Sequence, residues 1–303
     1  MEFEFGTGAI VFVNAIVAVM MLGVGVELDL PEFRRTLRSP VGPAVGLVAQ
    51  FLLLPAVAFA FVQVVDPAPA IALGVILVSA CPGGSTSNVI THLAGANASL
   101  SIAMTGVSTF LALAMTPLNI AFWGSRVEGL SAEGVSIDPL GLLATLVLVL
   151  GLPVATGIAV QVRRPALAVQ LARPLRVVAV VGLVVLVVGA VAANLSNIGA
   201  SFRAVLPVVI AMNVIALALG YGAAAALRLP VRDRRAVSIE VGVQNTALGL
   251  TIALAFFPDF VEAALVAALW GMWHMIAGLG LARWWSGRSL IRPATSAPRE
   301  DPT

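Results

Sequence analysis

Cys81-Pro82-Gly83-Gly84-Ser85-Thr86-Ser87-Asn88 lies inside a membrane-length apolar run, between Ala70-Ile71-Ala72-Leu73-Gly74-Val75-Ile76-Leu77-Val78 and Val89-Ile90. One Pro and two adjacent Gly break a helix there, and small polar side chains follow at once. Broken backbone cannot face lipid, because its freed N–H and C=O groups would find no partners. It is tolerated where it lines a cavity, and half-helix ends near the bilayer midplane form solute and ion sites in many transporters. The plainer reading is a Pro kink between packed helices. A second break, further along, decides between them.

The rest of the composition agrees with a membrane setting. The chain has 303 residues, 60% apolar and 11% charged, with a mean hydropathy of +1.04. A soluble domain carries roughly 25% charged residues, so this is an integral membrane protein. Its acidic start, Met1-Glu2-Phe3-Glu4-Phe5, lacks the basic segment of a cleavable signal peptide. The single cysteine, Cys81, allows no internal disulfide and fits no metal pattern.

Apolar runs of about 20 residues place spans at 8–26, 41–65, 69–94 (broken), 97–123, 137–160, 173–195, 202–227, 231–256 (broken) and 259–284. The expected fold is therefore all-α and integral to the membrane, with nine transmembrane helices. Residues 1–287 form one polytopic transporter domain, and the polar, Pro-rich 288–303 form a disordered cytoplasmic tail.

All basic residues are Arg, and fifteen of the seventeen fall on one side of this topology: Arg34, Arg35, Arg38, Arg163, Arg164, Arg173, Arg176, Arg228, Arg232, Arg234, Arg235, Arg283, Arg288, Arg292 and Arg299. Only Arg126 and Arg203 fall on the other, among Glu2, Glu4, Asp66, Glu128, Glu133, Asp138, Asp259 and Glu262. The positive-inside rule puts the N-terminus outside and the C-terminus in the cytoplasm, in a cytoplasmic (inner or plasma) membrane. Short and evenly spread, the Arg groups read as topology signals, with no nucleic-acid partner implied.

The second break reads Ser238-Ile239-Glu240-Val241-Gly242-Val243-Gln244-Asn245-Thr246-Ala247. Glu240 is the one acidic residue deep inside a span, where a charge costs ~2.5–3.5 kcal/mol on insertion scales. It is a functional-site candidate, the alternative being a side chain that snorkels to the cytoplasmic interface. The breaks sit in spans three and eight, an odd separation, so the two segments cross the membrane in opposite directions. That is the arrangement of an inverted repeat, here of four and five helices.

A cation site can be assembled from these pieces, since Na⁺, like other hard ions, prefers oxygen ligands. Glu240 supplies the charge, Ser87, Asn88 and Gln244 supply oxygens, and unwound backbone at Val241 and Val243 supplies carbonyls. Span four adds Ser101, Thr105 and Ser108, the first two on one helix face, and Gln50 is an amide in an otherwise apolar span. Taken singly, each Ser or Thr more often bonds its own backbone. His274 in span nine is a packed histidine, a proton carrier or a donor toward an anionic solute. His92 reads as interfacial, and Trp284-Trp285 as an interface anchor.

With both breaks in view the chain resembles the bile acid:sodium symporter family. The resemblance rests on residues 81–91, Leu100-Ser101 through Thr105-Gly106-Val107-Ser108-Thr109, Thr116-Pro117-Leu118, Glu240-Val241-Gly242-Val243-Gln244-Asn245 and Trp273-His274. It implies a panel and a core with two broken, crossing helices, in the nine-helix form that lacks the first helix of bacterial relatives. It also implies two sodium ions: one held by Ser87, Asn88, Ser101, Thr105 and Glu240, the other by Gln50, Glu240, Gln244 and the carbonyls of Val241 and Val243. An organic anion, bile-acid-like or a small carboxylate such as pantoate or pyruvate, would sit beside Asn245 and His274, with Ser85 close by. Val243 stands where Met is frequent, and Met275 where Asn is frequent, the latter a departure on the solute side.

The expected function is sodium-coupled symport of an organic anion by alternating access. One rival keeps the architecture and couples to protons through Glu240 and His274. A second, an intramembrane serine-dependent enzyme using Ser85 or Ser87, lacks a nucleophile-elbow pattern.

Overall fold

In a computed structural model the chain is described at residues 7–27, 40–127, 144, 147–193 and 198–287. Eleven helices account for nearly all of it: α1 Thr7–Glu27, α2 Val41–Val65, α3 Pro69–Ala80, α4 Thr86–Leu93, α5 Ala98–Gly124, α6 Leu152–Arg163, α7 Pro165–Ala193, α8 Ile198–Ala226, α9 Val231–Gly242, α10 Thr246–Phe256 and α11 Val261–Ser286. The protein is an all-helical membrane protein. Four described helical stretches, Val41–Val65, Ala98–Gly124, Ser201–Ala226 and Val261–Ser286, are long and apolar enough to cross a bilayer by length and composition.

Both expected breaks are present. Span three divides into α3 and α4 around residues 81–85, and span eight into α9 and α10 around 243–245. The helix of span six starts earlier than expected, at Pro165 rather than 173. Proline at a first helical position has no N–H to lose and a φ already suited to the helix, so the chain turns over Arg164 alone and re-enters helix. Arg173 therefore lies on an exposed helical face. The start of span five (137–146, apart from residue 144), Arg34, Arg35, Arg38, Glu128, Glu133, Asp138 and the tail 288–303 lie outside the described residues.

α2 carries a π-helical turn at Ala49–Leu53. Pro55 cannot donate to the carbonyl four residues before it, that of Phe51. The freed oxygen takes a hydrogen bond from Asn119 Nδ2 of α5, 3.0 Å away. A second π turn, Val147–Gly151, precedes Pro153 in the same way. These wide turns are where a helix absorbs an extra residue, often at functional sites.

Packing divides the helices into two groups. α1, α6 and α7 lie chiefly against one another. Where α1 crosses α6 the backbones touch: a Cβ on Gly157 would meet the Leu22 carbonyl, and one on Gly25 the Val154 carbonyl. The larger group joins α2–α5 to α8–α11 around Phe51, Leu54, Leu73, Ile76, Leu77 and Trp270, all fully buried. Contacts of α1 with α10, and of α5 with the second π turn, link the groups. At one end of the larger group Asn97 Nδ2 donates to Asp233 (2.8 Å) and Arg232 Nε to the Gly95 carbonyl (3.2 Å), clasping the α4–α5 turn to the start of α9.

Candidate functional site: the crossing of the two broken helices

The breaks meet each other in antiparallel fashion, residue Gly83 opposite Gln244. Gly84 N–H donates to the Val243 carbonyl at 2.9 Å, and Asn245 N–H to the Pro82 carbonyl at 2.8 Å. Backbone groups freed by one break are thus satisfied by the other, as a buried chain demands. The glycines permit this approach. A Cβ on Gly84 would sit 3.0 Å from the Gln244 carbonyl oxygen, and one on Gly83 would overlap the Glu240 carboxylate.

The helix-end carbonyls are served by side chains from other helices. Thr116 Oγ1 of α5 donates to Ala80 O (2.8 Å), and Gln50 Nε2 to Cys81 O (2.7 Å). Asn213 Nδ2 of α8 donates to Gly242 O (2.7 Å).

Glu240 is the centre of the arrangement, only 2% exposed. Its Oε2 accepts from Ser87 Oγ at 2.6 Å and Ser101 Oγ at 3.0 Å, while Oε1 accepts from Thr105 Oγ1 at 2.7 Å. The same Ser101 and Thr105 hydroxyls lie 2.8 and 3.2 Å from Asn88 Oδ1. A hydroxyl carries one proton and two lone pairs, so Ser101 and Thr105 cannot serve Glu240 and Asn88 at once. Oxygen lone pairs outnumber the protons available to them. That surplus is what a hard cation takes up. All five residues expected for the first sodium site are therefore together: Ser87, Asn88, Ser101, Thr105 and Glu240.

The second set gathers differently. Gln50 and Gln244, each 1% exposed, exchange two amide hydrogen bonds of 2.9 and 3.2 Å. Gln244 Nε2 also reaches the Val241 carbonyl, and Val243 O holds Gly84 N–H. Glu240 directs its hydrogen bonds to the hydroxyl cluster instead, and among the described residues none joins it to Gln50 or Gln244. Ser108 bonds the Thr105 carbonyl on its own helix and adds nothing to either set.

Of the residues expected at the solute, Asn245 lines a cleft with Met21, Val24, Pro82, Thr109, Ala112, Leu113, Val154 and Leu248. Its Oδ1 caps α10 by accepting from Leu248 N–H at 3.1 Å, a role that does not use the amide NH₂. The cleft lies between the two packing groups and is apolar apart from Asn245 and Thr109. His274 is buried with no partner on Nδ1. It shares a face of α11 with Gly271, which abuts Thr246, and Gly278, which abuts Ile90 and Val243. Ser85 is exposed and lines neither the cleft nor the cation cluster.

Asn213 and Asn119 are polar groups that the sequence did not single out, and Thr116 and Thr91 stood out only as members of the family motifs. Thr91 Oγ1 donates to Ser101 Oγ at 3.3 Å, behind the Glu240 cluster. Asn213 carried a legible signal, a lone amide in an apolar span, of the same kind that marked Gln50.

Comparison with known proteins agrees with this geometry. The sodium bile acid symporter family model matches residues 15–201. Over 94% of this chain and 86% of its own, the uncharacterized sodium-dependent transporter YocS of Bacillus subtilis (strain 168) is 33% identical. The chain belongs to the sodium bile acid symporter family. Another member, the probable sodium/metabolite cotransporter BASS1, chloroplastic, of Arabidopsis thaliana, is 33% identical over 88% of this chain and 65% of its own. Sodium/bile acid cotransporter 4 of Homo sapiens is 32% identical over 84% of this chain and 58% of its own. A symporter of this family is a transporter and not an enzyme, which removes the rival reading of an intramembrane serine-dependent enzyme.

Proposed function

We propose that this symporter couples inward sodium movement to uptake of an organic anion by alternating access across the cytoplasmic membrane. The observation that carries the reading is the proton-poor oxygen cluster around Glu240. The first ion is assigned to Ser87, Asn88, Ser101, Thr105 and Glu240. The second is assigned to Gln50, Gln244 and the carbonyls of Val241 and Val243, with Glu240 as shared charge. The anion is assigned to the cleft, its carboxylate at the Asn245 NH₂; His274 and Ser85, which lie outside the cleft lining, are proposed as further solute residues. An apolar lining around two polar side chains, Asn245 and Thr109, favours an anion with an apolar body.

In the same reading the chain has nine spans in inverted repeats of four and five helices, N-terminus outside, within a domain of residues 1–287. The α1, α6 and α7 group serves as the panel and the larger group as the core. The antiparallel meeting of the breaks supports the inversion.

Sodium-dependent thermal stabilisation tests the reading. A ligand that binds only the folded state stabilises by RT ln(1 + [L]/Kd). The purified protein in detergent should melt higher in Na⁺ than in K⁺ or choline at equal ionic strength, and Glu240→Ala should remove the difference. Equal melting in Na⁺ and K⁺ would overturn sodium coupling and favour a proton gradient.

A further inference from the structure

Asn213 is fully buried in α8, in the apolar run Val208-Val209-Ile210-Ala211-Met212-Asn213-Val214-Ile215. Its Nδ2 donates to the Gly242 carbonyl, the last of α9, at 2.7 Å, while its Oδ1 has no partner. The amide cannot simply be reversed, because that would set oxygen against oxygen at Gly242. A hydrophobic interior rarely keeps an acceptor without a donor, and such a group calls for a reason. A hydroxyl would have capped Gly242 without leaving an orphan oxygen, as Thr116 does for Ala80.

The place of Asn213 in the chain points to that reason. Gln50 lies in α2, the helix just before the first broken pair, and donates to a carbonyl 31 residues on, at the first break. Asn213 lies in α8, the helix just before the second broken pair, and donates to a carbonyl 29 residues on, at the second break. The two amides are counterparts. The Gln50 oxygen is taken by Gln244; the Asn213 oxygen is open. It stands beside a stretch, residues 241–243, whose two outer carbonyls belong to the second cation set.

We infer that Asn213 is a further residue of the second cation set. Its Nδ2 fixes the Gly242 carbonyl, so that the last turn of α9 and the break after it present the Val241 and Val243 oxygens, and its Oδ1 is an added oxygen for the sodium ion. This rests on the sodium-coupled reading above.

The test titrates NaCl against choline chloride at constant ionic strength and follows melting of the purified full chain. Wild type is compared with Asn213→Leu, which keeps volume, Asn213→Ala, which avoids any clash, Asn213→Thr, which keeps a donor and an oxygen, and Thr116→Val. The last removes an equivalent buried cap at the first break, away from the proposed ion oxygens. Asn213→Leu or Asn213→Ala should raise the half-saturating sodium concentration about tenfold, the scale of one lost polar contact. Asn213→Thr should stay nearer wild type, and Thr116→Val should lower the melting point without moving the sodium dependence. Unchanged sodium dependence in both apolar Asn213 variants would overturn the inference alone. So would an equal shift in Thr116→Val, or Asn213→Thr shifting as far as Asn213→Ala. A wild type indifferent to sodium would overturn the coupling itself, and this inference with it.

Discussion

At Glu240 a carboxyl group sits where lipid would ordinarily exclude a charge. Insertion of a charge at mid-membrane costs ~2.5–3.5 kcal/mol, and a hydrogen bond to a charged group returns roughly 1.5–3 kcal/mol. Three hydroxyl bonds offset part of that cost, and no cationic side chain among the described residues is bonded to the group, where it would compete with the ion. Gly83 is part of the same fit, since any side chain there would press on the carboxylate. Gly83→Ala should therefore weaken sodium binding about tenfold or more, read as the sodium-dependent melting shift; an unaltered shift would show that the carboxylate is not held against this glycine. At this scale much was legible. A lone Glu and a lone Gln in apolar spans announce themselves by cost, whereas Thr116 or Asn119 is cheap to bury and reveals its purpose only when a freed carbonyl is found opposite. Ser85 shows the reverse: its place in a polar motif said nothing about which way its segment would face.

At the scale of elements, Pro82 with Gly83 and Gly84 located the first break, and Gly242 with the polar residues beside it located the second, to within a few residues, because loss of an N–H or of a side chain acts locally. The π turns ahead of Pro55 and Pro153 were not legible, since the same residues also fit an ordinary proline kink. Nor was the early start of α7, where Arg-rich sequence masked two amphipathic turns. The close crossing of α1 and α6 gives a prediction at this scale. Gly157→Ala would drive a methyl into the α1 backbone, an overpacking that costs typically 1–3 kcal/mol, and should lower the melting point in choline and sodium alike. Gly23→Ala, whose methyl would meet Leu175 at an ordinary 3.5 Å, is the matched control. Equal melting of the two variants would mean that the helices do not touch there.

For the whole molecule, the division into a small three-helix group and a larger group enclosing the breaks could not be read from hydropathy, which counts spans but not their neighbours. Its functional content is electrical. On the two-ion reading proposed above, two sodium ions with an ionised Glu240 would leave one net positive charge, which a monovalent anion would cancel, so that the loaded site would be neutral and the return of a charged Glu240 would move a negative charge outward. Each charge crossing 100 mV contributes ~2.3 kcal/mol. Uptake into proteoliposomes should rise with an inside-negative potential; uptake indifferent to potential would exclude two sodium ions per monovalent anion.

The pairing of the two breaks has a consequence for how the chain is made. Ser87 and its acceptor Glu240 are 153 residues apart. At synthesis rates of about 5–20 residues per second, the first break waits roughly 8–30 seconds for the backbone and carboxylate that complete it. During that interval the Pro82 carbonyl and the Gly84 N–H lack the partners, Asn245 N–H and the Val243 carbonyl, that satisfy them in the fold. A nascent chain halted before α9 cannot supply those partners, so the first half is not a self-sufficient unit, and quality control in the membrane has a window in which to remove it.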